Sequence, residues 1–165
     1  MQTATESITT KKIGQMLPFK PLAHSSITDQ LLTLAKTQEH WASYYNFEAM
    51  QVPLKLLEQD SFFKRLPSHK AGILRLKPYT CYNWHTDTDR PAGINMLLSF
   101  GKSHCLFGSN DAVSFPFVEL KYEPSTYYAF NTQVPHTVLN FEQTRYIFSI
   151  EFDSSITYAQ LLQTC

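Results

Sequence analysis

The chain has 165 residues with 14 basic and 14 acidic side chains, so its formal net charge at pH 7 is zero. Hydrophobic residues make up 43% of it and charged residues 17%, a composition that fills a packed core and excludes a disordered chain. The balanced charge disfavours a nucleic-acid partner, because proteins that bind a phosphate backbone carry a basic surface. The length fits a single domain over residues 1–165.

The thiols and the first residues predict a cytoplasmic location. Cys81, Cys105 and Cys165 are widely spaced and odd in number, which does not suggest a disulfide framework. Residues 1–10 are polar and lack the apolar segment of a signal peptide. No run approaches the roughly 18 apolar residues that a membrane span needs. We therefore expect no membrane anchor, and the sequence carries no signal of the oligomeric state.

The N-terminal part, residues 1–70, is predicted to be an arm followed by supporting helices. Residues 1–26 show no period and are expected to form an extended arm or a leading strand. Residues 27–36 carry apolar side chains at helical spacing, and Thr28 is expected to cap that helix. A second amphipathic helix is predicted over residues 53–66, which begin with a proline.

From residue 71 to residue 152, short apolar runs alternate with turn residues about every ten positions. In the last run, period-two alternation puts Phe148 and Ile150 on one face of a strand and Arg145 on the other. Regular short strands predict a mainly β jelly-roll core, with the N-terminal helices on the outer face of one sheet. Eight strands are predicted, over residues 72–77, 81–87, 93–100, 104–107, 115–122, 127–131, 137–141 and 145–152.

A possible metal site lies in the second and seventh predicted strands. His85 and Asp87 are two residues apart, so a strand would point both side chains to one face. His136, 49 residues after Asp87, is the candidate third ligand. Two histidines and one carboxylate leave three coordination positions open, which suits a non-haem Fe(II) that binds a co-substrate and O₂ together. A zinc site with the same ligands would favour four-coordinate geometry.

A candidate anion clamp follows in the next strand. Arg145 lies nine residues after His136, and an antiparallel hairpin between the two strands would place it deeper in the same barrel. A guanidinium there can bind a carboxylate with two hydrogen bonds. The spacing suits a dicarboxylate that chelates the metal at one end and pairs with Arg145 at the other.

Taken together, His85-Thr86-Asp87, His136 in VPHTVLNF and Arg145 in TRYIFSIEF resemble the 2-oxoglutarate/Fe(II)-dependent dioxygenases, over about residues 71–152. The resemblance implies a double-stranded β-helix, which is a cupin-like jelly roll. It also implies that the two histidines and the aspartate bind Fe(II) and that Arg145 pairs with the C5 carboxylate of 2-oxoglutarate. With O₂, such an enzyme hydroxylates a C–H bond and releases succinate and CO₂.

Other residues are assigned to this site by strand alternation or by position. Tyr79, Asn83 and Asn95 are candidates to assist in binding 2-oxoglutarate, and Arg90 is the candidate contact to a substrate carboxylate at the cavity rim. A solvated loop arginine is the alternative for Arg90. Cys81 shares the alternation face of His85, so it either lines the pocket or is a small buried residue.

The substrate is expected to be an amino acid, a peptide or a protein. The chain is somewhat similar to the aspartyl/asparaginyl hydroxylase and prolyl hydroxylase branches, while its neutral charge disfavours the branch that repairs alkylated nucleic acids. The segments left to cover the site are the N-terminal arm and residues 103–116.

Two other functions remain open. A cupin-like module would bind a metal without 2-oxoglutarate chemistry and would have no need of Arg145. A purely structural jelly roll would bind no metal, and in it His85, Asp87 and His136 would not converge.

Overall fold

The computed structural model describes residues 17–108, 117–152 and 155–165. Residues 1–16 of the predicted arm and residues 109–116 of the predicted covering segment lie outside the described residues. The strands are β1 (Phe19–His24), β2 (Ala42–Ser43), β3 (Glu48–Gln51), β4 (His69–Leu76), β5 (Cys81–His85), β6 (Ala92–Leu97), β7 (Ser103–Phe107), β8 (Val118–Glu119), β9 (Thr126–Asn131), β10 (His136–Asn140) and β11 (Arg145–Phe152). The helices are α1 (Thr28–Thr37), α2 (Leu54–Leu57), α3 (Tyr158–Thr164) and a 3-10 helix (Ser61–Arg65).

Two antiparallel sheets form the jelly roll, which confirms the predicted fold class. The larger has seven strands in the order β1-β9-β6-β11-β4-β3-β2, and the smaller has four in the order β5-β10-β7-β8. All eight predicted strands are present, although only β8 represents the predicted strand over residues 115–122. The first 70 residues also add β1, β2 and β3 to the larger sheet, so this part of the chain supplies strands as well as helices.

The two faces of β11 separate the core from the site, as the alternation predicts. Phe148 and Ile150 are fully buried on the face that the helices cover, with Leu31 of α1 and Leu161 of α3 in the same cluster. Burying each such side chain contributes about 1.5–3 kcal/mol to folding. Arg145 and the alternate residues after it point the other way, into the space between the sheets.

The predicted helix over residues 53–66 is wrong in its continuity. α2 ends at Leu57, and a separate 3-10 helix begins after Asp60. The Asp60 carboxylate accepts hydrogen bonds from the backbone N–H groups of Phe62 and Ser26, both at 2.9 Å. An aspartate that accepts backbone donors in this way favours a helix start over a helix interior.

The predicted cap of the first helix is also wrong. Ile27 takes the capping position of α1 and supplies no side-chain hydrogen bond. Thr28 is instead the first helical residue, and its hydroxyl lies 3.6 Å from the Met96 sulfur. The contact ties α1 to β6, so packing on the sheet takes the place of a cap in positioning this helix start.

Candidate metal centre

His85, Asp87 and His136 converge where the smaller sheet meets the loop after β5. His85 ends β5 and is paired in register with His136, which begins β10. Asp87 follows in the loop, where its backbone N–H donates to the Thr132 carbonyl at 3.0 Å. One potential ligand atom from each of the three side chains lies within 4.8 Å of the others. The arrangement can hold a metal ion.

Hydrogen bonds set the orientation of both imidazole rings. The Nδ1 of His85 lies 2.6 Å from the Asn83 carbonyl, and the Nδ1 of His136 lies 2.9 Å from the Val134 carbonyl. A carbonyl only accepts, so each Nδ1 carries a proton, and in the neutral form of each ring the free lone pair lies on Nε2. Metal-binding histidines commonly donate the N–H of the ring nitrogen that does not bind the metal in this way, and that hydrogen bond fixes the tautomer. The Nε2 of His85 lies 3.5 Å from Asp87 Oδ1, which directs both atoms to one point.

Burial keeps His136 neutral. Its ring packs against Phe107 and Phe130, with ring centroids 5.8 and 4.9 Å away. Loss of solvation lowers the pKa of His136 to about 4, and the nearby His85 lowers it further, against the opposing effects of the Val134 carbonyl and Asp87. Only the neutral ring offers a lone pair to a metal. The site therefore has an imidazole ready for coordination at neutral pH.

A bulge in β5 changes which of its side chains face the site. Three residue steps in β5, from Tyr82 to His85, lie opposite two steps in β10. An extra residue of this kind reverses the alternation. Tyr82 and His85 consequently both line the cavity, and their rings meet edge to face with centroids 4.1 Å apart.

The bulge makes two predictions wrong. Asn83 faces away from the metal site and lines a shallow groove on the outer side of the smaller sheet, as does Trp84. Cys81 lies in the same groove and is exposed, so it is neither a pocket residue nor a buried one. Sequence alternation alone gave no sign of the extra residue, and Tyr82 was missed for the same reason.

The three side chains open into a cavity of about 870 Å³ between the two sheets. Arg145 lies in this cavity, 3% exposed, on the inner face of β11. Three buried polar atoms of the described chain have no hydrogen-bond partner, and all belong to cavity residues: Arg145 Nε, Asn95 Oδ1 and the Tyr122 hydroxyl. Buried polar groups in proteins are nearly always paired, so this cluster has the unused donors and acceptor to bind a polar ligand.

Tyr122 is the residue of this cluster that the sequence did not single out. It follows β8 without belonging to a strand, so no alternation predicts its direction. Burial raises the pKa of its phenol, and the neighbouring Cys105 raises it further, against the lowering effect of Arg145. The hydroxyl is therefore protonated and is available as a donor beside the guanidinium.

Tyr79 lies outside the cavity, so its predicted position at the site is wrong. It occupies the turn between β4 and β5 with a left-handed φ of 55°, and its side chain is exposed. Its backbone N–H donates to the Phe141 carbonyl at 2.8 Å, which fastens the turn to the end of β10. The residue stabilises a turn and does not reach the site.

Arg90 lines the cavity, but the structure gives its guanidinium a partner within the protein. Nη2 and Nε donate to the same carboxylate oxygen of Asp87, Oδ2, at 2.7 and 2.9 Å. Its alternative as a solvated loop arginine is wrong. Its predicted contact to a substrate carboxylate would have to compete with this pair.

No helix in residues 17–108, 117–152 or 155–165 is long and apolar enough to cross a membrane.

Solved structures with a similar fold include prolyl hydroxylases and a 2OG-Fe(II) oxygenase family protein. A prolyl hydroxylase from Trichoplax adhaerens, in complex with a peptide fragment of the hypoxia inducible factor oxygen degradation domain, is similar with a TM-score of 0.65 and 12% identity, over 93% of this chain and 94% of that one. An oxidoreductase of the 2OG-Fe(II) oxygenase family from Burkholderia pseudomallei gives a TM-score of 0.62 and 9% identity, over 97% and 95% of the chains. A prolyl-4-hydroxylase from Pseudomonas putida gives 0.58 and 16%, over 82% and 92%.

No protein-family model matches the sequence, and no curated protein matches it. The structural likeness confirms the resemblance to 2-oxoglutarate/Fe(II) oxygenases at the level of the fold. A shared fold does not by itself establish a shared chemistry, which depends on the residues of the site.

Proposed function

We propose that this protein is an Fe(II)- and 2-oxoglutarate-dependent oxygenase that hydroxylates a C–H bond of an amino-acid, peptide or protein substrate. One observation carries the proposal. A single cavity contains a His-Asp-His set with its ligand atoms directed to one point and, deeper in, a buried arginine. Among the described residues no carboxylate lies within 4.0 Å of that arginine.

The donor set fits Fe(II). His85 and His136 would each supply Nε2, and Asp87 would supply one carboxylate oxygen. Two imidazoles and a carboxylate on one face are the set that non-haem Fe(II) oxygenases use. When bound, iron would supply the redox chemistry that couples O₂ to decarboxylation of 2-oxoglutarate and to oxidation of the substrate. The protein orients both rings for this role and keeps His136 neutral.

The inner end of the cavity fits the distal carboxylate of 2-oxoglutarate. A buried guanidinium without a counter-ion is costly, and an incoming carboxylate would pair with it through charge-assisted hydrogen bonds. The Tyr122 hydroxyl is a second donor in the same cluster, and the amide of Asn95 lies there too. A cupin-like metal module without 2-oxoglutarate chemistry gives Arg145 no role, so this cluster favours the oxygenase over that alternative.

The outer part of the cavity supports an organic substrate that places one group beside the metal. Tyr82 lies against His85, and Phe47 meets Tyr82 edge to face with centroids 5.5 Å apart. Both aromatic rings line the cavity and can contact an apolar C–H group of a substrate. The peptide complex of the Trichoplax adhaerens enzyme supports a polypeptide as one substrate class.

A cytoplasmic location is part of the same proposal. Cys81, Cys105 and Cys165 are all free thiols, which suits a reducing compartment.

The test is anaerobic addition of Fe(II) and then 2-oxoglutarate to the full chain, followed by visible absorption. We expect a weak metal-to-ligand charge-transfer band that saturates with 2-oxoglutarate. His85→Ala should abolish the band by removing iron, whereas Arg145→Ala should retain iron and weaken 2-oxoglutarate binding roughly 100-fold.

Arg75→Ala is the matched control, because Arg75 is an ion-paired arginine that does not line the cavity. A folded, iron-loaded protein without the band would contradict the proposal. Succinate release on aerobic addition of amino acids and peptides would then identify the substrate.

A further inference from the structure

The contact between Arg90 and Asp87 is unevenly divided between the two carboxylate oxygens. Both guanidinium donors reach Oδ2, from Nε at 2.9 Å and from Nη2 at 2.7 Å. Oδ1 takes no part in this ion pair and is the oxygen that lies 3.5 Å from His85 Nε2. Arg90 therefore occupies one oxygen and leaves the other to face the point where the three potential ligands meet.

The guanidinium is itself held from a second strand. Its third nitrogen, Nη1, donates to the Ser149 hydroxyl at 3.3 Å, and Ser149 is 8% exposed on the inner face of β11. The arginine thus links the loop after β5 to the central strand of the larger sheet. A bond at each end fixes the direction of the guanidinium plane.

Backbone contacts hold the same loop from the other side. Gln133 Nε2 donates to the Asp87 carbonyl at 2.8 Å, and the Thr132 hydroxyl donates to the Arg90 carbonyl. Asp87 and Arg90 are therefore anchored through both backbone and side chain. The loop is built to present the carboxylate in one orientation.

We propose that Arg90 is a positioning residue that reserves Oδ1 of Asp87 for the metal and thereby limits Asp87 to one coordination position. The inference rests on the proposed function, because it assigns a role toward the metal. With Oδ2 engaged by two charge-assisted hydrogen bonds, the carboxylate cannot rotate to chelate with both oxygens without losing them. Three positions of an octahedron then stay open for the co-substrate and O₂.

The chain contains a matched control pair. Arg75 Nε donates to Glu48 Oε2 at 2.7 Å, the same distance as the shorter Arg90 contact. The arginine side chains are both 25% exposed, and the two carboxylate side chains are 16% and 17% exposed. Neither Arg75 nor Glu48 lines the cavity. Arg75 also lies over the Trp41 ring, with its Cζ 4.3 Å from the ring centroid, so its pair should contribute at least as much to folding and differ in its effect on metal binding.

The experiment is a titration of the metal-free full chain with Co(II) alone, followed by its ligand-field absorption and by thermal unfolding without metal. We expect Arg90→Ala to weaken Co(II) binding 10- to 100-fold and to change the spectrum at saturation, because the freed carboxylate changes its coordination. Arg75→Ala should change Co(II) affinity less than twofold while lowering the unfolding temperature at least as much.

Two further measurements separate positioning from a general structural role. Added guanidinium at millimolar concentration should restore part of the Co(II) affinity of Arg90→Ala and leave Arg75→Ala unaffected. Arg90→Lys keeps the charge but loses the planar fork, so we expect an intermediate affinity. This variant also serves if Arg90→Ala does not fold.

Each result decides for or against the inference. An unchanged Co(II) affinity and spectrum in Arg90→Ala, or in Arg90→Lys if only that variant folds, would overturn it. A wild-type chain that binds Co(II) but fails to bind 2-oxoglutarate would contradict the proposed function and leave the Arg90 inference standing. A wild-type chain that binds no Co(II) would overturn both.

Discussion

Asp60 and Arg145 are buried to the same extent but differ in whether their polar atoms have hydrogen-bond partners. Each is 3% exposed, and each carries groups that are costly to remove from water. Asp60, on the helix side of the larger sheet, accepts two backbone N–H groups and the Tyr127 hydroxyl at 2.9 to 3.0 Å. Arg145, on the cavity side, has an Nε atom with no partner among the described residues.

The difference separates a group whose hydrogen bonds hold the fold together from a group that, under the proposed function, binds a ligand. The Asp60 carboxylate joins the start of α1, the 3-10 helix and β9, so its hydrogen bonds exist only in the folded chain. The Nε of Arg145 makes no such link, and the carboxylate of the proposed co-substrate would offset the cost of burying its charge. Burial alone therefore does not distinguish structure from function, whereas the pairing of the buried atoms does.

The largest effect is expected from Asp60→Ala. Three donors, two of them in buried hydrogen bonds, would lose this acceptor, which should lower the free energy of unfolding by about 2–4 kcal/mol. Urea denaturation measures this, with Asp29→Ala as the control, since Asp29 is an exposed acid in the first turn of α1. That control should stay within about 0.5 kcal/mol of wild type. A loss below about 1 kcal/mol for Asp60→Ala would remove the contrast with Arg145.

Arg145→Met should not lower the free energy of unfolding of the ligand-free protein, in contrast to Asp60→Ala. Replacing an unpaired buried charge by an apolar side chain of similar length should leave the free energy of unfolding unchanged or raise it by about 1–2 kcal/mol. The same variant should lose 2-oxoglutarate binding. A loss of stability greater than about 2 kcal/mol in urea would mean that Arg145 has a stabilising partner in the free protein.

Two tyrosines show the same contrast between a paired and an unpaired polar group, and removing their hydroxyls should change the free energy of unfolding by less. The Tyr127 hydroxyl lies 3.0 Å from Asp60 Oδ2 and 2.9 Å from Ser25 Oγ, whereas the Tyr122 hydroxyl lies beside Arg145 and Asn95 without a hydrogen bond of good geometry in the described chain. Removing the paired hydroxyl in Tyr127→Phe should cost about 1–2 kcal/mol, and Tyr122→Phe should be neutral or slightly stabilising. Equal losses in thermal or urea unfolding would contradict the assignment of Tyr122 to a ligand.

The smallest effect concerns thiol reactivity and tests the bulge in β5. Cys81 is exposed on the outer groove and should react with a disulfide reagent in the folded protein. Burial raises the pKa of Cys105 to about 11, so at pH 8 only about one thiol in a thousand is ionised and Cys105 should stay unreacted. Mass spectrometry after limited labelling identifies the modified residue. Protection of Cys81 would contradict its outward position.

The parts of the fold that follow from local periodicity could be predicted from the sequence. Short apolar runs between turn residues located the eight strands from β4 to β11, and alternation assigned Phe148 and Arg145 to opposite faces of β11. The convergence of His85 with His136 was predictable because neighbouring strands of a jelly roll bring their ends together, and the structure pairs these two residues in register.

What could not be predicted depends on contacts between distant residues. The break in the second helix arises from Asp60, whose acceptors are used by Ser26 and Tyr127, far away in sequence. The bulge depends on the pairing of β5 with β10. Because of it, Tyr82 lines the cavity and Asn83, which was predicted to do so, does not. Tyr122 belongs to no strand, so only the folded chain directs it to the cavity.

The alternation of β11 also affects how the protein can change over evolutionary time. Its even-numbered positions from Tyr146 to Phe152 pack on the helix side, while Ile147 and Ser149 line the cavity. Side chains on opposite faces of one strand share a backbone but few neighbours, so substitutions on the two faces should be nearly additive. One strand thus offers two separate sets of positions, and the shape of the cavity can change at Ile147 without a simultaneous compensating change in the core.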